Sequence, residues 1–217
     1  MALQVVRRFG LRHRFVRTHE IDNPAYAANP ANRCYFCKTE VYGVAKEQAR
    51  RLGIAHVLDG FNADDRGDHR PGRQAALEFG VRSPLDELGF TKADIRQQAQ
   101  RLNLPVWDKP ALACLSSRFP YGTQITVERL QQVWQSERVL RSLGFRVCRV
   151  RYHDAMARIE VALQDIPRLF APEVKDEIVQ RFQQAGFSTV TVDMQGYRTG
   201  SLNEALRGER NCYTTQL

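Results

Sequence analysis

KTEVYGVAKEQARRLGIAHVLDG, residues 38–60, decides the fold class. Val41, Ala45, Ala49 and Leu52 recur at the spacing that places side chains on one helical face, and Gly53 stops the pattern. AHVLDG (55–60) is a short apolar run that predicts a buried strand. Upstream, LQVVRRFGLRHRFVRT (3–18) reads as the end of an amphipathic helix, a glycine stop and a short alternating strand, HRFVRT. EIDNPAYAANPANR (20–33), with two Asn-Pro pairs and no periodicity, is a loop. Downstream, FNADDRGDHRPGRQAALEFG (61–80) is a polar loop leading into a short helix. TKADIRQQAQRLNL (91–104) is a helix capped by Thr91 with Asp94 three residues on. Alternating short strands and helices predict an α/β domain with a parallel sheet over 1–122.

The remainder has a different rhythm. TVERLQQVWQSERVLRSLGF (126–145) is a helix with Thr126 as N-cap, followed by two alternating strands in RVCRVRYHD and MARIEVA. IPRLFAPEVKDEIVQRFQQAGF (166–187) reads as helix and STVTVDM (188–194) as strand, so 123–217 is a compact α+β module. The first domain opens in mid-helix; an open parallel sheet ordinarily starts with a central strand whose following loop cradles phosphate. The sheet is therefore expected to lack its first strand, exposing two neighbouring strand edges and apolar surface.

At 217 residues, with 43% hydrophobic and 26% charged residues, the chain has a globular composition. No run approaches the roughly 18 apolar residues of a membrane-spanning helix, and the basic N-terminus lacks the continuous apolar stretch of a secretion signal. No membrane association and a cytoplasmic location are the expectation. The formal net charge of +8 favours anionic partners. The arginines are dispersed, without an aromatic–basic nucleic-acid signature, so a small phosphorylated ligand is expected rather than nucleic acid.

Five cysteines, Cys34, Cys37, Cys114, Cys148 and Cys212, are an odd number for a disulfide framework. Cys34 and Cys37 form a Cys-x-x-Cys just ahead of the helix, and three uses stand open for it. A thioredoxin-type pair follows a strand directly, whereas this one follows a Pro/Asn-rich loop. A structural zinc needs four Cys or His ligands, and no second pair of ligand spacing occurs. An iron–sulfur cluster on three thiolates needs one further cysteine, and spacing does not choose among Cys114, Cys148 and Cys212.

Three other stretches carry chemistry. LDGFNADDRGDHRPGR (58–73) gathers Asp64, Asp65 and Asp68 with Arg66, Arg70 and Arg73. Its carboxylates suit water-bound Mg²⁺ and its arginines suit phosphate, unless the charges simply neutralise one another in a solvated turn. ACLSSRFPYGT (113–123) sets a thiol, two hydroxyls and a guanidinium close together, a set able to bind an anion. In RVRYHD, Arg149 and Arg151 are two apart on a strand, hence on one face and about 6–7 Å apart. They make a phosphate clamp or an exposed strand face.

Taken in order, NPANRCYFCKTEVY, LDGFNADDRGDHRPG, SPLDELGFTKADIRQQAQRLNLPVWDKPALACLSSRFPYG, RVRYHD, ARIEV and VTVDMQGYRTGSLNE resemble the LarE family of ATP-dependent sulfur transferases, over essentially the whole chain. That family belongs to the PP-loop ATP pyrophosphatases. The resemblance implies a Rossmann-like, adenine nucleotide alpha hydrolase-like sheet. It also implies adenylation, with ATP and Mg²⁺, of the carboxylates of pyridinium-3,5-biscarboxylic acid mononucleotide, followed by sulfur insertion for the nickel-pincer cofactor of lactate racemase. Cys34, Cys37 and Cys114 match the branch that relays sulfide on a 4Fe-4S cluster; the single-use cysteine of the other branch falls at Ala113. By the same resemblance Arg149 and Arg151 hold the substrate phosphate, Glu137 lies near the sulfur donor, Ser116, Ser117 and Arg118 line the cavity, and Asp64, Asp68 and Arg70 serve nucleotide and Mg²⁺. The family tends to homo-oligomers. No Ser-Gly-Gly-x-Asp-Ser phosphate loop occurs in the chain, so the chain alone is expected not to adenylate unless a partner supplies that unit. The alternatives are a non-enzymatic iron–sulfur or nucleotide-binding remnant and a tRNA-thiolating relative.

Overall fold

The structure, a computed structural model, describes residues 2–67, 70–110 and 113–203. The chain divides into two compact units, Met1–Tyr26 with Asn32–Ala111, and Ala27–Ala31 with Leu112–Leu217.

The first unit is helical among the described residues. It holds α1 (Ala2–Phe9), the short α2 (Pro24–Ala27, whose last residue belongs to the second unit), α3 (Arg33–Arg51), α4 (Gly72–Glu78), α5 (Pro84–Glu87) and α6 (Lys92–Arg101). Its core is Tyr42 of α3 against Ala75, Ala76 and Val81, with Tyr35, Val41, Val57 and Phe79 packed around them. Tyr42 tolerates this burial because its hydroxyl donates to Asp59 at 2.8 Å. Thr91 caps α6 as its sequence predicts, with Asp94 closing the reciprocal box.

Three sequence expectations change here. The helix predicted from Lys38 starts at Arg33, so Cys34 and Cys37 lie inside its first turns rather than ahead of it. Of the predicted face, Ala49 is buried and Val41 packs on the core, whereas Leu52 is 50% exposed; the ring of Tyr42, outside that stripe, is the helix's main core side chain. Neither HRFVRT nor AHVLDG forms a strand. The second is reduced to one isolated parallel bridge, Leu58↔Arg82, closed by Asp59 N–H to Arg82 O and Arg82 N–H to Val57 O, both at 3.0 Å. A ladder requires a neighbour along its whole length, and residues 13–18 pair with no strand among the described residues. Phe15, Val16, Ile54 and Leu58, on or beside these two segments, are exposed.

The second unit is an α+β sandwich of one sheet and its helices. α7 (Val127–Ser142) starts on Thr126, whose hydroxyl accepts from Arg129 N–H, as expected. β1 (Cys148–His153) and β2 (Met156–Val161) form an antiparallel hairpin turned at Asp154, which takes φ +53°. α8 (Ile166–Leu169) and α9 (Pro172–Gln184) then carry the chain to β3 (Thr189–Val192), parallel to β2. The single helix predicted over 166–187 is two, because Pro172 disfavours helical backbone at Ala171 and itself starts α9. Val133, Leu140, Phe145, Val150, Ile159, Phe182 and Phe187 form the core beneath α7 and α9. No helix among the described residues is long and apolar enough to cross a membrane.

Candidate functional site

In the second unit Arg149 and Arg151 of β1 and Glu160 of β2 are buried, which excludes an exposed strand face for the arginine pair: Arg149 is 5% and Arg151 8% exposed. Arg151 is bound in fork-to-fork geometry by Glu160, Nε to Oε1 at 2.9 Å and Nη2 to Oε2 at 2.8 Å. Its remaining donors reach Ser117 O at 2.7 Å and Ser201 Oγ at 2.8 Å. Arg149 donates to Cys148 O at 2.7 Å and lies 5.0 Å over the ring of Tyr197. Burial, and next the nearby Arg118, hold the Arg149 guanidinium below its ordinary pKa; a charge kept there is one that an incoming anion stabilises.

The turn bearing Tyr197 is fixed by Gly196. At φ +67° it brings Tyr197 N–H onto Val161 O at 2.7 Å, and a Cβ at Gly196 would sit 2.8 Å from that same carbonyl. Only glycine permits so close an approach.

Glu137, wholly buried on α7, accepts from Arg118 (Nε to Oε1 2.7 Å, Nη2 to Oε2 3.2 Å), from Arg141 one turn on, and from Val150 N–H at 3.3 Å. Arg118 ends a 3₁₀ turn, Leu115–Arg118, that begins at Cys114. Cys114 is exposed, Ser116 is buried, and Ser117 Oγ donates to Cys114 O at 2.7 Å. Five guanidiniums (118, 141, 149, 151, 158) thus meet three carboxylates, Glu137, Glu160 and Asp193. The excess of positive charge in a largely desolvated setting suits a small anion.

Cys148 faces the core at 1% exposure, and burial pushes its thiol up to about 11, with Glu137 adding to the effect. Its folded-state pKa is raised, so its contribution to stability is complete below about pH 9 and lost as pH rises toward about 11. Iodoacetamide at pH 8 is therefore expected to modify Cys34, Cys37 and Cys114 while sparing Cys148, read by peptide mass mapping; modification of Cys148 at a rate like that of Cys114 would contradict its burial. Cys212 lies outside the described residues.

In the first unit, Cys34 and Cys37 are part-exposed on α3. Three residues apart, they share one helical face with Cβ atoms about 5–6 Å apart. α4 begins against this turn: a Cβ on Gly72 would meet Lys38 Cγ at 2.8 Å and Cys34 O at 3.3 Å. Within neither unit do three His, Cys, Asp or Glu side chains gather as a ligand set among the described residues. The acidic–basic loop is a surface ion-pair network in which Asp65 and Asp86 are buried and their cationic partners Arg66, Arg70 and Lys92 are exposed. Asp64 accepts from Lys92 N–H at 2.7 Å, and Asp65 pairs with Arg70 at 2.8 Å and Lys92 at 3.0 Å. Asp86 takes Arg66 and Arg73. Asp68 lies outside the described residues.

Sequence reasoning missed Glu160, Arg141, Tyr197 and Ser201. Two of these carried a readable signal. Glu160 alternates with Arg158 in a predicted strand following the Arg149–Arg151 strand, and Arg141 lies four residues from Glu137 on a predicted helix. The Tyr197–Ser201 turn carried none.

The fold and site together define an α/β protein whose second unit carries a cluster of buried arginines and carboxylates. No family model matches the chain. It is 51% identical over 197 residues to the uncharacterized protein slr1717 of Synechocystis sp., a match spanning 91% of this chain and 74% of that one. It is 41% identical over 178 residues to the pyridinium-3,5-bisthiocarboxylic acid mononucleotide synthase of Lactiplantibacillus plantarum, covering 82% of this chain and 64% of the synthase. To the uncharacterized protein MJ0830 of Methanocaldococcus jannaschii it is 31% identical over 171 residues, 79% of this chain and 66% of the other. The chain belongs to the LarE family, and spans just under two-thirds of the length of the latter two relatives.

Proposed function

We propose that the chain serves sulfur insertion into a pyridinium mononucleotide in the biosynthesis of a nickel-pincer cofactor, with ATP and Mg²⁺ activating the substrate carboxylates. The observation that carries this reading is the buried pair Arg149 and Arg151 in a relative of a pyridinium mononucleotide synthase. Arg149 donates to the substrate phosphate, and Arg151, its N–H groups held by Glu160, Ser117 O and Ser201, adds its positive charge to the site. Glu160 orients Arg151 and neutralises one charge, so the bound phosphate meets a site of fixed geometry and net positive charge. Tyr197 restrains Arg149 from its face. Adenylation gives each carboxylate a good leaving group, and a sulfur nucleophile then displaces AMP.

Cys34, Cys37 and Cys114 are the residues that would hold a 4Fe-4S cluster. The donor chemistry fits: two part-exposed thiols share one helical face and the third thiol is exposed. Such a cluster, when bound, supplies an iron position without a protein ligand at which sulfide is kept available. The first unit is read as the Rossmann-like, ATP-handling part, the parallel bridge Leu58↔Arg82 being the pairing that supports it. Within it Asp64, Asp68 and Arg70 are assigned to nucleotide and Mg²⁺, and the assembly is read as a homo-oligomer in the cytoplasm.

The test is calorimetric titration of the whole chain with pyridinium-3,5-biscarboxylic acid mononucleotide. Saturable 1:1 binding that weakens as salt is raised is expected. Absence of binding at low salt would refute the assignment.

A further inference from the structure

Arg118 stands among the residues expected to line the substrate cavity, yet its guanidinium is already occupied from within its own unit. It is 2% exposed. Nε and Nη2 close on Glu137 at 2.7 and 3.2 Å, and Nη1 is shared among Ala113 O at 3.1 Å, Cys114 O at 2.9 Å and Ser117 Oγ at 2.9 Å. A guanidinium has five N–H donors in a rigid plane, so binding on one edge fixes what the other edge can reach. Glu137 is itself anchored, by Arg141 on the next turn of α7 and by Val150 N–H on β1.

We infer that Arg118 is a positioning residue for Cys114 and not a substrate contact. Its plane transmits the position of α7 and β1, through Glu137, to the carbonyls of Ala113 and Cys114. That fixes the backbone from which the Cys114 thiol projects. The exposed Cys114 is then held on a turn whose carbonyls are pinned by a buried ion pair as well as by backbone hydrogen bonds such as Ser117 N–H to Cys114 O at 3.1 Å and Phe119 N–H to Ser116 O at 3.4 Å. Lysine cannot substitute, because one ammonium reaches either Glu137 or the turn. The functional weight of the inference rests on the reading that Cys114 takes part in sulfur transfer; its structural content does not.

The experiment compares the whole wild-type chain with Arg118→Met and Arg118→Lys, by amide hydrogen exchange well below each melting temperature and by titration with inorganic phosphate. In both variants exchange at Ser117 and Phe119 is expected to quicken at least tenfold more than exchange of the β1–β2 ladder amides, whose own acceleration reads the general loss of stability from breaking the buried pair. Phosphate affinity is expected to stay within about twofold, whereas Arg149→Met loses it. Uniform acceleration across the unit would show a general stability role, and unchanged exchange at the turn would remove the clamp; either overturns the inference. A fall in phosphate affinity matching that of Arg149→Met would make Arg118 a ligand contact and overturn it too. If wild type binds no phosphate, the anion-site reading fails, and the exchange data alone decide the role of Arg118. Should Arg118→Met fail to fold, Arg118→Lys, which retains the charge, carries the comparison.

Discussion

Replacing Glu137 by alanine is expected to lower the stability of the second unit by about 3–5 kcal/mol, the usual result of removing one partner from a buried ion pair. The magnitude follows from what is left behind. Arg118 and Glu137 are 2% and 0% exposed as side chains, so the variant leaves a desolvated guanidinium without its counter-charge. It also frees Arg141 and leaves Val150 N–H without its acceptor. A chain of this size shifts its melting temperature by about 2–4 °C per kcal/mol, so a drop on the order of 10 °C is expected by scanning calorimetry. Glu137→Gln, which keeps the shape and one acceptor oxygen, falls between. A melting temperature unchanged in Glu137→Ala would mean that the pair is not the keystone its geometry indicates.

Replacing Arg149 by methionine is expected to weaken binding of the pyridinium mononucleotide by about a hundredfold or more, in line with the 2–5 kcal/mol carried by a desolvated charge pair. Stability should change much less. The folded protein holds this guanidinium under desolvation, with Arg118 near it, so methionine removes a charge that folding carries at a cost. Arg151→Met provides the contrast. It leaves Glu160, 1% exposed, with Arg158 as its remaining guanidinium at 3.5 Å, so it should lose both affinity and stability. Titration and calorimetry on the two variants separate a residue that serves the ligand from one that also serves the fold. Equal stability losses in both would refute that division.

The residues show unevenly in the sequence. The caps Thr91 and Thr126 and the glycine stop at Gly53 announced themselves, because caps are decided by local backbone geometry. The hairpin of β1 and β2 and the shared face of Arg149 and Arg151 were readable from alternation alone. The start of α3 was not, since the Asn-Pro pairs ahead of it masked a helix whose first two turns carry Cys34 and Cys37. Nor was the occupation of Arg118 and Arg151: a guanidinium in a sequence looks equally ready for a ligand or a carboxylate, and only the register of Glu160 and the packing of Glu137 assign it. The segments 13–18 and 55–60 have strand composition, but composition supplies no partner, and pairing is a property of the neighbour.

Ala27–Ala31 belongs to the second unit although it is flanked in sequence by the first. Gly122 N–H donates to Asn29 O at 2.9 Å and Ile125 N–H to Ala27 O at 2.8 Å. The buried Asn29, at φ +55°, gives its amide to Pro120 O at 2.7 Å. A fragment begun near residue 113 would carry α7 and the whole sheet yet lose the five residues that hold 119–125 in place. The arginine site is thus not a cassette that can be excised at a single cut, because its own unit is assembled from two separate stretches of the chain.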